Sequence, residues 1–167
     1  MSIVKTGLAP DPLQHVLMHL RPLDRKELFA TRPHDSTALA ADEIMRYCAP
    51  FGTLFWHEGE PVTAIGFFPM WPGVVSVWAF GSHRWDYVVR AMTRHVINEM
   101  VPELLRRGVH RAECRSLSER EDSQRWLIAL GAQIEGRLRE FGRSREDFTL
   151  YAWSDRDTGH RRHVDFH

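Results

Sequence analysis

Two rhythms of apolar and polar positions run through this chain of 167 residues, and the points where one gives way to the other mark its elements. Between Gly73 and Gly108 both occur in succession. Val74-Val75-Ser76-Val77-Trp78-Ala79-Phe80 is a β-rich apolar run, and Gly81-Ser82 is a turn. A long helix then opens at about His83, with Trp85, Val88, Val89, Met92, Val96 and Met100 recurring at three- and four-residue intervals. That spacing lays one helix face on a sheet. Pro102 cannot continue the backbone ladder, so a kink or new turn is expected from Pro102 to Arg107, with Gly108 as C-cap. Ser82 is suited to accept from the N–H of Arg84 or Trp85. A strand running into a helix N-terminus leaves N–H groups directed outward in front of the positive end of the dipole, which is a seat for an anion. Most such turns bind nothing, so the pattern alone assigns no ligand.

The remaining pattern fills in around this unit. Residues 1–12 read as a loose leader, and His15 to Arg21 as a first strand ended by Pro22. Asp24 and Glu27 make a capping-box start for a short helix through Phe29 or Ala30. A second helix spans Thr37 to Cys48 and is closed by Pro50 and Gly52. Thr53 to His57 and Val62 to Phe68 form a hairpin across Glu58-Gly59-Glu60-Pro61, and with the strand ending at Phe80 they make a three-stranded antiparallel meander. The long helix is then a right-handed crossover to a parallel strand, Val109 to Leu117, whose Arg111, Glu113 and Arg115 face opposite to Ala112, Cys114 and Ser116. Ser118 and Glu121 form a second capping box, opening a helix through Leu130. Ile134 to Phe141 and Phe148 to Trp153 are a closing strand pair. Residues 13–153 thus read as one domain, followed by a flexible charged tail at 154–167. The fold class is α+β, a mixed and mostly antiparallel sheet of about seven strands flanked by about four helices.

Composition narrows the chemistry. With 22 basic and 22 acidic residues the formal net charge is zero, which disfavours a nucleic-acid partner relying on phosphate neutralisation. Cys48 and Cys114 have no C-x-x-C partner and read as reduced core thiols in a cytoplasmic setting. No long apolar run predicts a membrane span or signal peptide. His57, His83 and His110 lack a ligand-spaced neighbour, so no metal site is expected; His160, His163 and His167 belong to the tail, where they could pick up stray metal.

The element order, together with Ser123-Gln124-Arg125-Trp126-Leu127-Ile128-Ala129-Leu130-Gly131-Ala132, Glu135-Gly136-Arg137-Leu138-Arg139 and the ending Phe148-Thr149-Leu150-Tyr151-Ala152-Trp153, resembles the GCN5-related N-acetyltransferase (GNAT) family. The likeness covers Val16 to Trp153 in topology and the last third in sequence. It implies acetyl-CoA as co-substrate, an amine acceptor (a small molecule or a protein), no metal and no membrane, and it is compatible with a homo-oligomer. It implies a pyrophosphate seat under the family's Q/R-x-x-G-x-G/A motif, here Trp78-Ala79-Phe80-Gly81-Ser82-His83. Only Gly81 matches: Trp78 stands in the Gln/Arg place and His83 in a small-residue place. Arg84 is the residue placed to supply a compensating phosphate contact, next to Trp85. Ser118, Ser123 and Trp126 would line the cofactor's far side. Leu127 takes the place of the family's Tyr acid, and Arg120 that of its Asn. Glu113, mid-strand between two arginines, and Asp35, beside His34 in the loop before the second helix, are the base candidates; an ion-pair ladder and a helix cap explain the same residues.

A narrower resemblance, over Trp78 to Trp85 and the Gly131-Ala132 ending, is to a phage-encoded GNAT-like branch that includes a small internal virion protein, implying host cytoplasm or virion as the location. Two functions follow as alternatives: an acyl-CoA-dependent N-acyltransferase, or a catalytically silent GNAT-fold protein acting through protein–protein contacts.

Overall fold

A computed structural model describes residues 2–156. The tail prediction and its histidines, apart from the first residues after Trp153, lie outside the described residues. The strands are β1 (Ile3–Gly7), β2 (Gly52–His57), β3 (Glu60–Trp71), β4 (Val74–Gly81), β5 (Arg111–Leu117), β6 (Gln133–Leu138) and β7 (Phe148–Ser154). They form one seven-stranded sheet in the order β1-β2-β3-β4-β5-β7-β6. Every neighbouring pair is antiparallel except β4 and β5. The helices are α1 (Pro10–Met18), α2 (Pro22–Ala30), α3 (Thr37–Cys48), α4 (Trp85–His95), α5 (Val101–Arg106) and α6 (Glu121–Ala129). Among the described residues no helix is long and apolar enough to cross a membrane.

Alternation along the strands gives the sheet two apolar faces. Leu54 and Ala64 pack with Leu13, Val16 and Leu17 of α1 and Ala40, Ala41 and Ile44 of α3. Their chain neighbours Phe55 and Ile65 pack on the other face with Val88 and Met92 of α4. The prediction for α3 holds to the residue, with Ser36 as its cap: its hydroxyl accepts from the Leu39 N–H at 3.1 Å. Pro102 falls in the first turn of α5, directly after a helical segment, so the break its missing N–H makes in the regular ladder sits at that junction. The chain reaches it through a π-helical turn, Val96–Met100, and leaves through Gly108 in the left-handed region at φ 79°.

Two predictions at the N-terminal end are overturned. His15 to Arg21 is not a strand, because Leu13, Val16 and Leu17 all turn one helical face inward and are fully buried. Pro10 sits at the start of α1, where proline is preorganised for a helix rather than a breaker of one. The supposed leader contains β1, which pairs with β2 from Ile3↔His57 to Gly7↔Thr53. Every β1 residue is exposed, so backbone pairing alone makes it a strand and hydrophobic alternation carries no trace of it.

Both capping boxes are also corrected. Helix α2 begins at Pro22 with Arg21 as its cap residue and no side-chain cap, and α6 has Arg120 in that position, likewise uncapped. The acidic pair Asp24 and Glu27 turns toward the ends of β4 and β5 instead, with consequences for the site. Helix α4 begins at Trp85, two residues later than expected.

Candidate functional site

The parallel strands β4 and β5 pair only at Val74↔Arg111, Val75↔Ala112 and Ser76↔Glu113. Beyond that point β4 continues to Gly81 and β5 to Leu117, while β7 occupies the far edge of β5 along its whole length. The two facing edges therefore diverge into a wedge. It opens into a cleft of about 1170 Å³ bounded by Val77 to Phe80, by Ala112, Cys114, Arg115 and Ser116, and by side chains of α2, α3, α4 and α6.

Unpaired strand edges in a buried place need hydrogen-bond partners. Helix α2 supplies one to each strand end. The Gly81 N–H donates to Asp24 Oδ2 at 3.2 Å, and the Leu117 N–H donates to Glu27 Oε1 at 2.7 Å. Asp24 and Glu27 are three residues apart on one helix, so they share a face. The Ser116 hydroxyl adds a 2.5 Å bond to Glu27 Oε1. Arg120, at the entry to α6, joins the pair by donating to Asp24 Oδ1 at 2.8 Å and Glu27 Oε2 at 3.3 Å. Arg21 Nε donates to Asp24 Oδ2 at 2.7 Å. Asp24 and Arg120 are buried, with relative exposures of 2% and 3%.

The two carboxylates differ in their balance of forces. Burial raises the Glu27 pKa above its ordinary value, outweighing Arg120, Ser116 and the Leu117 N–H, which favour the charged form. Asp24 is held by two guanidiniums and a backbone N–H. In the same cleft, burial with the Glu27 carboxylate nearby pushes the Cys114 thiol up to about 12, so it stays protonated and is a poor nucleophile.

The structure brings Trp78, Ala79, Phe80, Trp85, Ser123 and Trp126 together around the cleft. Trp78 and Phe80 stack at 5.4 Å, and the Trp78 indole lies over Gly66, where a Cβ would come within 2.7 Å of it. Trp85 meets Trp126 edge-to-face at 5.4 Å across the space between α4 and α6, and the Arg21 guanidinium lies 4.0 Å from the Trp85 ring centre.

Gly81, Ser82, His83, Arg84 and Ser118 do not line it. At the strand-to-helix turn the Ser82 N–H donates to Val62 O, the Arg84 N–H to Ser82 Oγ and the Trp85 N–H to Ser82 O, so with Asp24 on Gly81 these donors are used internally. Arg84 turns away to Glu60 and to Nδ1 of His57 at 2.7 Å, which removes it as the compensating phosphate contact. Gly81 is required by packing, because a Cβ would sit 2.6 Å from Thr63 Cγ2 and 2.8 Å from Trp85 Cε3. Ser118 is bonded to the Thr149 hydroxyl at 2.8 Å.

Neither base candidate named from sequence is in the cleft lining. Glu113 is clamped between Arg111 at 3.0 Å and Arg115 at 2.8 Å, and Asp35 is an exposed partner of Arg143. Asp24, Glu27, Arg21 and Ser116 were missed as site residues. The available signal was an acidic pair at i, i+3 on a helix, which a capping-box reading absorbs. Among the described residues no group of three or more His, Cys, Asp or Glu is placed to hold a metal ion.

No protein-family model matches the sequence, and no curated protein matches it. Solved structures do share its architecture. Ard1 from Thermoplasma volcanium superposes with a TM-score of 0.71 at 9% identity, over 92% of this chain and 98% of that one. The ribosomal-protein-S18-alanine N-acetyltransferase from Escherichia coli gives 0.66 at 14% identity, over 92% and 94%. A protein from Chromobacterium violaceum described as a probable acetyltransferase of the GNAT family gives 0.67 at 16% identity, over 95% and 91%. The fold is the GNAT fold. At these identities the likeness is one of architecture, and the divergence of β4 from β5 is this GNAT-fold chain's own geometric evidence for a site.

Proposed function

We propose that the chain is an N-acyltransferase that moves an acyl group from a thioester donor, acetyl-CoA in the simplest case, to an amine inside the wedge between β4 and β5. The observation that carries the reading is the wedge itself. It presents unpaired backbone edges and a partly buried carboxylate of raised basicity in a single cleft, on a fold shared with N-acetyltransferases. An extended, amide-bearing arm can add to such an edge as an extra strand would.

The chemistry asks for three things: a proton acceptor for the ammonium, donors for the tetrahedral oxyanion and a proton for the departing thiolate. Glu27 is the acceptor in this reading. Its carboxylate takes a proton from the ammonium, the freed amine attacks the thioester carbonyl, and the C–S bond breaks as the amide forms. The carboxyl group then returns its proton to the thiolate, and the second proton, shed by the attacking nitrogen as the amide forms, leaves to solvent through the open cleft. Backbone N–H groups in the Val77 to Phe80 stretch serve the oxyanion. With Leu127 in the place where the family likeness expects a Tyr acid, the proton needs another source, and Glu27 supplies it. Transfer is direct: Cys114, held as a thiol, carries no acyl group.

The test is release of free thiol from acetyl-CoA in the presence of a panel of primary amines, with amide formation followed by mass spectrometry. The reading expects amine-dependent thiol release that Glu27→Gln lowers by roughly 10²–10⁴-fold. Absence of thiol release, together with absence of thioester binding, would leave a GNAT-fold protein that works by contacts alone.

A further inference from the structure

The turn after β4 has the geometry of an anion seat, yet it already contains an anion. Gly81 N–H at 3.2 Å, Arg21 Nε at 2.7 Å and Arg120 Nη1 at 2.8 Å all converge on the Asp24 carboxylate, which is 2% exposed. Three donors from β4, the start of α2 and the start of α6 thus surround one internal negative charge. A second, independent observation concerns the rim. The two helices whose N-termini border this end of the cleft carry their own acids in the first turn, Asp86 in α4 and Glu121 and Asp122 in α6, and Asp86 and Asp122 both line the cleft. Acids there occupy the positive end of each helix dipole and repel a further anion. The edge-to-face pair Trp85–Trp126 also spans the space between these helices.

We propose that Asp24 determines donor specificity: it fills the anion seat from within, so the cleft grips an acyl donor through its thioester and uncharged pantetheine arm and makes no use of a nucleotide pyrophosphate. This rests on the acyl-transfer reading above. The donor class it selects is the acyl-pantetheine thioester, for which the nucleotide half of coenzyme A is dispensable. Asp24→Asn keeps the shape and the bond from Arg21 or Arg120 while removing the charge, leaving Arg21 only its 3.8 Å contact to Asp122 and Arg120 its longer contacts to Glu27 and Asp122. That variant converts the seat into one that accepts a phosphate.

The test compares binding of coenzyme A, pantetheine, and the pyrophosphate-bearing nucleotide half of coenzyme A supplied alone, by calorimetry on the full chain. Thiol release from acetyl-CoA and S-acetylpantetheine is measured in parallel. Coenzyme A and pantetheine are expected to bind within about threefold of each other, and the nucleotide half is expected not to bind. Asp24→Asn is expected to shift the preference toward coenzyme A by about tenfold or more. Asp86→Asn, at an exposed position, shifts it in the same direction and serves if Asp24→Asn does not fold. Binding of the nucleotide half to the unmodified chain, or a preference for coenzyme A of more than about tenfold, would overturn the proposal and leave acyl transfer standing. If neither thioester donor bound nor turned over, the acyl-transfer reading would fall and this proposal with it.

Discussion

The two open strand ends, one at Gly81 and one at Leu117, are closed by the same helix in the same way and come out chemically different. At Gly81 the Asp24 carboxylate meets two guanidiniums and a backbone N–H. At Leu117 the Glu27 carboxylate meets a backbone N–H, a hydroxyl and a longer contact to the one guanidinium it shares with Asp24. Two guanidiniums and a backbone N–H tie one carboxylate into the structure. A single, shared and longer contact at the other leaves burial in command, and the pKa rises. One turn of helix thus separates a group that holds the wedge together from a group able to take up a proton inside it.

The sharpest way to break this contrast is to remove the guanidinium that both ends share. Arg120→Ala leaves Glu27 with no cation and the buried Asp24 with Arg21 alone, and is expected to destabilise the fold by about 3 kcal/mol, read as a fall in denaturant midpoint. Glu27→Gln should divide stability from activity: thiol release falls by about two orders of magnitude or more, whereas unfolding free energy changes by less than about 1.5 kcal/mol. A destabilisation as large as that of Arg120→Ala, with the residual rate unchanged, would place Glu27 with Asp24 as a purely structural charge.

The pH dependence of stability gives a smaller effect with a definite sign. Because the folded-state pKa of Glu27 is raised, its contribution is fully present below the unfolded value near 4.5 and is lost as pH rises through the raised folded value. In Glu27→Gln that decline should disappear from the urea midpoint measured across the acid range. Asp35→Ala marks the bottom of the scale. Its pair with Arg143 is exposed, so a loss of about 0–1 kcal/mol and an unchanged rate are expected.

Much of the frame was legible in sequence because burial imposes periodicity. The spacing of Trp85, Val88 and Met92 declares α4, and Pro50 with Gly52 marks the end of α3. Strand β1 escaped because none of its residues is buried, so pairing with β2 leaves no alternation to read. Helix α1 escaped because Pro10 and Pro12 look like interruptions until the face formed by Leu13, Val16 and Leu17 is seen to begin inside that stretch. The walls of the candidate site, from Trp78 to Phe80 with Trp85, Ser123 and Trp126, could be named from the resemblance to the GNAT family. Its charges could not. Asp24 and Glu27 satisfy a local capping rule, and only the divergence of two strands distant in sequence reveals that they cap those strands rather than their own helix. Glu113 shows the converse: mid-strand acids flanked by arginines invite a catalytic reading, and the pairing with Arg111 and Arg115 uses up its charge.

The most direct test of Glu27 as the working carboxylate is the pH–rate profile of amine-dependent thiol release, measured for the unmodified chain and for Glu27→Gln. The account predicts an acid limb displaced above the ordinary carboxylate value near 4.5, which vanishes in the variant together with most of the rate. The same limb persisting at the same pH in the variant would contradict it.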